Sequence, residues 1–264
     1  MRIAVTGSNG FIGKCLVEKL KTTEHEVLEL DIHNWDIQNI PRDGSGIEQH
    51  WLMYDCVVHL AGLVKVGESV CKPSEYYNTN IMGTKRVIDA FHDAKFIFAS
   101  TGAAFNPTSP YAKSKLLAED IVKAECKEYT IFRFYNVGGR NPTNPEGLHA
   151  ATVNACGTGL FTIYGNDYNT KDGTCVRDYV HVDDLCDAII RAIHEPGAMT
   201  DYEPLGSGHS YTVLEYVNAF LEENGPKFKV EYGPRRRGDN ESSQVPHMSK
   251  FMKPKKTIKD IVKI

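Results

Sequence analysis

Apolar residues along the chain come in short blocks, and the spacing between the blocks carries the first structural information. "RIAVTG" (2–7), "EVLELD" (26–31), "CVVHLAG" (56–62), "KFIFAST" (95–101) and "TIFRFYNV" (130–137) have the length and content of strands. Between them, 11–22, 74–94 and 110–125 place apolar residues at helix spacing. Strand and helix in alternation predict βαβ units, hence an α/β fold with a doubly wound parallel sheet of Rossmann type. From about residue 138 the rhythm loosens into "GGRNPTNPEG", followed by "LFTIYG", "DDLCDAIIRAIHE", "TVLEYVNAFLEENG" and "FKVEYGP". These shorter elements predict a smaller C-terminal α/β lobe. The sheet domain is drawn at 1–137, with chain re-entering it around 160–195, and the lobe mainly at 138–264. The basic tail "KPKKTIKDIVKI" reads as a surface helix.

Composition narrows the functional classes. With 264 residues, 41% of them apolar, the chain can bury a full core. A net charge of −4 gives no general attraction to nucleic acid or an anionic membrane, so any anion site must be local. No run approaches the ~20 apolar residues of a membrane span. "MRIAVTGSNG" leads straight into a strand rather than a signal peptide, which makes the cytoplasm the expected compartment. Seven cysteines without a C-x-x-C pair read as reduced packing residues, and ten histidines show no ligand spacing, so no metal is expected.

Gly7, Gly10 and Gly13 form G-x-x-G-x-x-G between the first strand and the first helix. Glycines there let backbone approach a pyrophosphate, and the helix N-terminus offers it N–H donors and a positive dipole end. Asp31 ends the second strand, where a carboxylate binds ribose hydroxyls and repels a 2′-phosphate, favouring NAD over NADP. In "STGAAFNPTSPYAKSK" (100–115), Tyr111 and Lys115 stand at i and i+4 on one helix face, behind the helix start Ser109-Pro110. An ordinary amphipathic helix would show the same pair, so this stretch alone leaves its role open.

G-x-x-G-x-x-G with Y-x-x-x-K resembles the extended short-chain dehydrogenase/reductase family. Three further stretches, "HLAGLVKVGESVCKPSEYYNTNIMGT" (59–84), "IYGNDYNTKDGTCVRDYVHVDDL" (163–185) and "YGPRRRGD" (232–239), resemble the UDP-glucose (UDP-galactose) 4-epimerases within it. The resemblance implies NAD as cofactor, a UDP-hexose as substrate, 4-epimerisation through a transient 4-keto sugar, and a homodimer packed through the Tyr111 helix and the helix at 74–94. It also implies roles. Gly10, Phe11 and Ile12 would lie under the pyrophosphate, Asp36 and Ile37 at adenine, and Ala61, Gly62 and Asn80 beside the cofactor. Tyr111, Lys115 and Thr101 would be the catalytic set, with Tyr111 as the base, Lys115 also serving the cofactor and Thr101 also serving the substrate. Asn136, Tyr164, Arg177, Arg236 and Asp239 would hold the UDP-sugar, with Ser243 bounding the sugar pocket. His181 is expected to pack before a helix capped by Asp183 and to take no part in catalysis.

The chain departs from the family at several points. Loops are short between Asp31 and Asp36 and between Thr101 and Tyr111, which implies a more open site. Val64 stands where the family usually carries lysine, with Lys65 one residue later. A small Ser243 would leave room for an N-acetyl group. Two alternatives compete with the epimerase. A nucleotide-sugar 4,6-dehydratase would place an Asp-Glu pair after the active-site hydroxyl, where Gly102-Ala103 stand here. A catalytically idle UDP-sugar-binding protein is the other.

Overall fold

The computed structural model describes residues 1–39, 53–140, 147–195, 201–236, 241–243 and 247–264. The first half runs β1 (Arg2–Thr6), α1 (Phe11–Lys21), β2 (Glu26–Leu30), β3 (Cys56–His59), α2 (Val66–Cys71), α3 (Pro73–Tyr77), α4 (Gly83–Ala90), β4 (Lys95–Thr101), α5 (Pro110–Glu125) and β5 (Tyr129–Phe134). The second half runs β6 (Asn136–Gly138), α6 (Leu148–Thr158), β7 (Leu160–Tyr164), β8 (Val176–His181), α7 (Val182–His194) and β9 (Glu203–Leu205). It closes with β10 (Ser210–Thr212), α8 (Val213–Asn224), β11 (Lys229–Gly233), β12 (Ser242–Ser243) and α9 (Ile258–Val262). Two compact units result, 1–133 with 189–203 and 134–188 with 204–264.

The first unit is built on a six-stranded sheet in the order β2-β1-β3-β4-β5-β9. β1 pairs in parallel with both β2 and β3, and β3 pairs in parallel with β4, which is the doubly wound α/β fold the alternation predicts. Ile3, Ala4, Val5, Cys56, Val57 and Val58 are all 0% exposed, as strands covered on both faces require. Gly13, Leu16, Val17 and Leu20 recur at helix spacing and form the buried stripe of α1. Strand order reverses between β1 and β3, and in open α/β sheets ligands bind in the crevice at such a switch point. The core gathers Leu30, Val57, Val87, Phe91, Phe96, Phe98, Val122 and Ile131 from elements far apart in the chain.

The second unit is organised around β8, which pairs in parallel with β6 and β12 and antiparallel with β10. β7 and β11 form a separate parallel pair. Phe161, Ile163, Tyr179, Tyr216, Val217 and Phe220 make its core, together with Ile261 and Val262 of the tail. The tail is therefore a helix of five residues that buries its apolar pair, a correction to the surface helix expected from its charge. Asp183 corrects another expectation. It lies inside the first turn of α7, and its N–H donates to His181 Nδ1 at 3.1 Å, so the imidazole caps the helix.

Candidate active site

The glycine loop is shaped by contacts only glycine permits. Gly7 holds φ of 69°, and a Cβ there would stand 2.8 Å from Ala61 N; a Cβ on Gly13 would stand 2.1 Å from Gly7 O. Gly10 N–H donates to Gly7 O at 3.0 Å and closes the turn. Phe11 and Ile12, half-buried, form the first turn of α1, which has neither a capping side chain nor an acidic residue. That combination suits a pyrophosphate, which needs close backbone and an uncapped positive dipole end. Asp31 ties to the same loop, its Oδ2 accepting from Asn9 N–H at 3.0 Å. Asp36 accepts from Gln38 N–H and Asn39 Nδ2 and so shapes a local turn, while Ile37 is buried against the start of α4 at Gly83.

The loop after β3 is pinned by a buried polar network. Thr84 Oγ1 gives its proton to Asn80 O, which leaves it to accept from His59 Nε2–H. His59 Nδ1 then accepts from Thr6 Oγ1, which itself accepts from Ala61 N–H. Burial, helped by the Lys115 charge, pushes the His59 imidazole down to about 3, so it stays neutral. Asn80 lies in a π-turn, Asn78–Met82, inside the helical run from Pro73 to Ala90. Its Oδ1 accepts from Leu63 N–H at 2.8 Å, and its Nδ2 donates to Leu63 O and to Ser114 Oγ. Asn80 thus braces the loop bearing Ala61 and Gly62 against α5. Val64 is 47% exposed, while Lys65 N–H donates to Tyr76 Oη, which donates onward to Glu68.

Helix α5 carries Tyr111 and Lys115. Ser109 Oγ accepts from Ala112 N–H and Pro110 occupies the first turn, so the helix begins where the sequence signal places it. Tyr111 is half-buried, and Thr101 Oγ1 accepts from Ala103 N–H at 3.2 Å. Burial raises the phenol above its ordinary value, and the nearby Thr101 hydroxyl works against that rise. Lys115 is 5% exposed, with Nζ 4.3 Å from the centre of the Phe98 ring. Burial lowers its ammonium to about 7, and Glu119 pulls the other way. Thr101, Tyr111 and Lys115 are therefore brought together at the end of β4 and the start of α5.

The second unit holds the residues expected at the UDP-sugar. Arg177 lies opposite Ser243 in the β8–β12 register and donates through Nη1 to Val176 O at 2.8 Å. Asn136 on β6 donates to Asp178 O at 3.1 Å. Arg236 stacks 3.8 Å over the ring of Tyr164. Asp239 lies outside the described residues. No cluster of three or more His, Cys, Asp or Glu suited to a metal occurs among the described residues.

A family model, the NAD dependent epimerase/dehydratase family, matches residues 3–205. The chain belongs to this family. Among curated epimerase relatives, the UDP-glucose 4-epimerase of Lactobacillus helveticus is 33% identical, over 92% of this chain and 87% of that protein. The fold matches the crystal structure of the Bifidobacterium longum UDP-glucose 4-epimerase in complex with NAD+ and UDP, with TM-score 0.87 and 27% identity over 99% of this chain and 96% of that one. The UDP-Glc/GlcNAc 4-epimerase of Campylobacter jejuni matches at TM-score 0.78 and 26% identity, over 99% and 97% of the two chains.

Several residues around the epimerase-family motifs escaped the sequence reading. Glu119, Arg133 and Ser100 form a buried polar cluster behind Tyr111. A signal existed, since Glu119 follows Lys115 by four residues on the same face of α5. Asp178, 0% exposed, gave no signal of its burial because it sits among the polar residues of "CVRDYVHV".

Proposed function

We propose that this protein is an NAD-dependent UDP-glucose 4-epimerase that inverts a UDP-hexose at sugar C4 through a transient 4-keto sugar. The observation that carries this reading is the convergence of Thr101, Tyr111 and Lys115 in a family member whose glycine loop suits a pyrophosphate. NAD⁺, when bound, supplies the hydride acceptor and returns the hydride, so it is regenerated in each turnover. Gly7, Gly10, Phe11, Ile12 and Gly13 would hold its pyrophosphate, Asp31 its ribose, Asp36 and Ile37 its adenine, and Ala61, Gly62, Asn80 and Lys115 its remaining surface.

The chain's own part is to move one proton. Tyr111 Oη takes the proton of the 4-hydroxyl and later gives it back. The Thr101 hydroxyl steadies the oxygens that carry the developing charge, and Lys115⁺ favours the phenolate. Taking a phenol that titrates near 10 down to neutrality requires about 4 kcal/mol of differential stabilisation. The apolar setting that depresses Lys115 also makes each remaining charge count for more. Gly102-Ala103, after Thr101, form a turn that offers no acid or base for eliminating water, so nothing favours a dehydratase.

Asn136, Tyr164, Arg177, Arg236, Asp239 and Ser243 are proposed to bind the UDP-sugar, the arginines through charge-assisted bonds to the diphosphate. Serine at position 243 is a small residue, which supports acceptance of N-acetylated UDP-hexoses. The first unit is read as the NAD unit and the second as the UDP-sugar unit. A homodimer through α5 and 74–94 is supported by Leu117, 48% exposed on α5, and light scattering checks it. All seven cysteines are free, which supports a cytoplasmic setting. No helix among the described residues is long and apolar enough to cross a membrane.

Purified protein incubated with UDP-galactose should yield UDP-glucose without added reductant. Parallel reactions with UDP-N-acetylglucosamine test the pocket. Absence of both turnover and bound NAD would favour the idle binding protein and end the epimerase assignment.

A further inference from the structure

Behind the reactive face of α5 lies a buried charge that proton transfer does not consume. Glu119 is 0% exposed, and its carboxylate is shared among three elements. Oε1 accepts from Ser100 Oγ on β4 and from Arg133 Nε on β5 at 2.9 Å, while Oε2 accepts from Arg133 Nη2 at 2.7 Å. Arg133 is 6% exposed and stacks 3.8 Å over Tyr202. The charge is thus paired and its acceptors are used, as burial demands.

Ser100 immediately precedes Thr101, whose hydroxyl lowers the nearby Tyr111 phenol against the rise that burial causes. Tyr111 and Glu119 are separated by roughly two helical turns. The Glu119–Ser100 bond therefore ties α5, which carries Tyr111, to the strand position next to Thr101. α5 cannot slide or rotate against the end of β4 without breaking that bond.

We propose that Glu119, acting through Ser100, is a positioning residue that keeps the Thr101 hydroxyl aligned with the Tyr111 phenol. This rests on the epimerase reading only for its kinetic consequence. The other groups around this link are few. Lys115 stands one turn before Glu119, Tyr76 on α3 meets Tyr111 edge-on at 6.4 Å and passes its proton to Glu68, and Lys85 on α4 pairs with Glu125 of α5 at 3.1 Å. Of these only Lys115 meets β4, over the Phe98 ring, and that contact makes no hydrogen bond to the strand end, so it does not replace the Ser100 link.

Ser100→Ala isolates that link, since Glu119 keeps both bonds from Arg133. In the purified holoenzyme, absorbance titration of the phenolate, with Tyr111→Phe as the subtraction, reads Tyr111 directly. Ser100→Ala should move Tyr111 ionisation up by about one pH unit, the order of one hydrogen bond. It should also lower kcat about tenfold, with KM for the UDP-sugar within about twofold. Ser100→Thr, which restores the hydroxyl, should restore both readings. Ser100→Gly gives the same comparison should the alanine variant not accumulate. An unmoved phenol titration, even with a lower melting temperature, would overturn the proposal by showing a purely structural bond. If the wild-type protein lacked turnover yet Ser100→Ala shifted the titration, the epimerase reading would fail and the positioning role would stand.

Discussion

Tyr111 and Asp178 are both ionisable groups in apolar surroundings, and they lead to different predictions. In the proposed reaction the Tyr111 phenol oxygen carries the proton, and phenylalanine keeps the ring without it. Tyr111→Phe should lower kcat by at least about 10³-fold, within the range of a lost acid–base group, while calorimetry shows UDP binding unchanged. Asp178 concerns stability instead. Its Oδ1 accepts from Ser207 N–H at 2.6 Å and Ser207 Oγ at 3.2 Å, and Oδ2 has no partner among the described residues. Burial pushes the carboxyl from its ordinary 3.8 up to about 6. The folded state thus holds this proton more tightly than the unfolded one. The stability it contributes is present in full below pH 4 and is lost as pH rises through 6, by about 3 kcal/mol in all. Denaturant unfolding at pH 4.5 and 7.5 should show this loss in the wild type and a smaller one in Asp178→Asn.

At the scale of elements, the glycine loop and its helix are read most directly from sequence, because the contacts that demand glycine are local. Gly13→Ala would drive a Cβ to 2.1 Å from Gly7 O and 2.8 Å from Ser8 Cα, so the loop must shift. Calorimetry should show NAD affinity falling more than about tenfold, and thermal unfolding a loss of about 1–3 kcal/mol. Gly67→Ala is the contrast. A Cβ there meets nothing within 4 Å, and alanine in helix α2 should add up to about 1 kcal/mol. α5 was equally legible, from Ser109-Pro110 at its start and the i, i+4 face of Tyr111 and Lys115. The π-turn at Asn80 was not, since it depends on bonds to Leu63 and Ser114 from other segments. Nor was the fate of the tail, because five residues of helix gain stability from the core that accepts Ile261 and Val262 and not from their own propensity.

For the molecule as a whole, ligands that bind only the folded state must raise its stability by mass action. UDP at about 100 times its Kd should stabilise the protein by about 2.7 kcal/mol, read as a higher melting temperature. Arg177→Ala and Arg236→Ala should each reduce that rise, and an undiminished rise would remove them from the UDP site. Some of this protein was determined by sequence alone: the parallel α/β sheet, the glycine turn between β1 and α1, the shared face of Tyr111 and Lys115, and the family. Each depends on spacing within a few residues or on strand-and-helix rhythm, which the chain carries locally. Only the tertiary structure decided that Lys115 is buried over Phe98 with its ammonium near 7, that His59 is neutral, and that Ser100 and Arg133 pair with a buried Glu119 on α5. Protonation and pairing of this kind depend on desolvation by residues distant in the chain, a quantity that exists only once the core has packed.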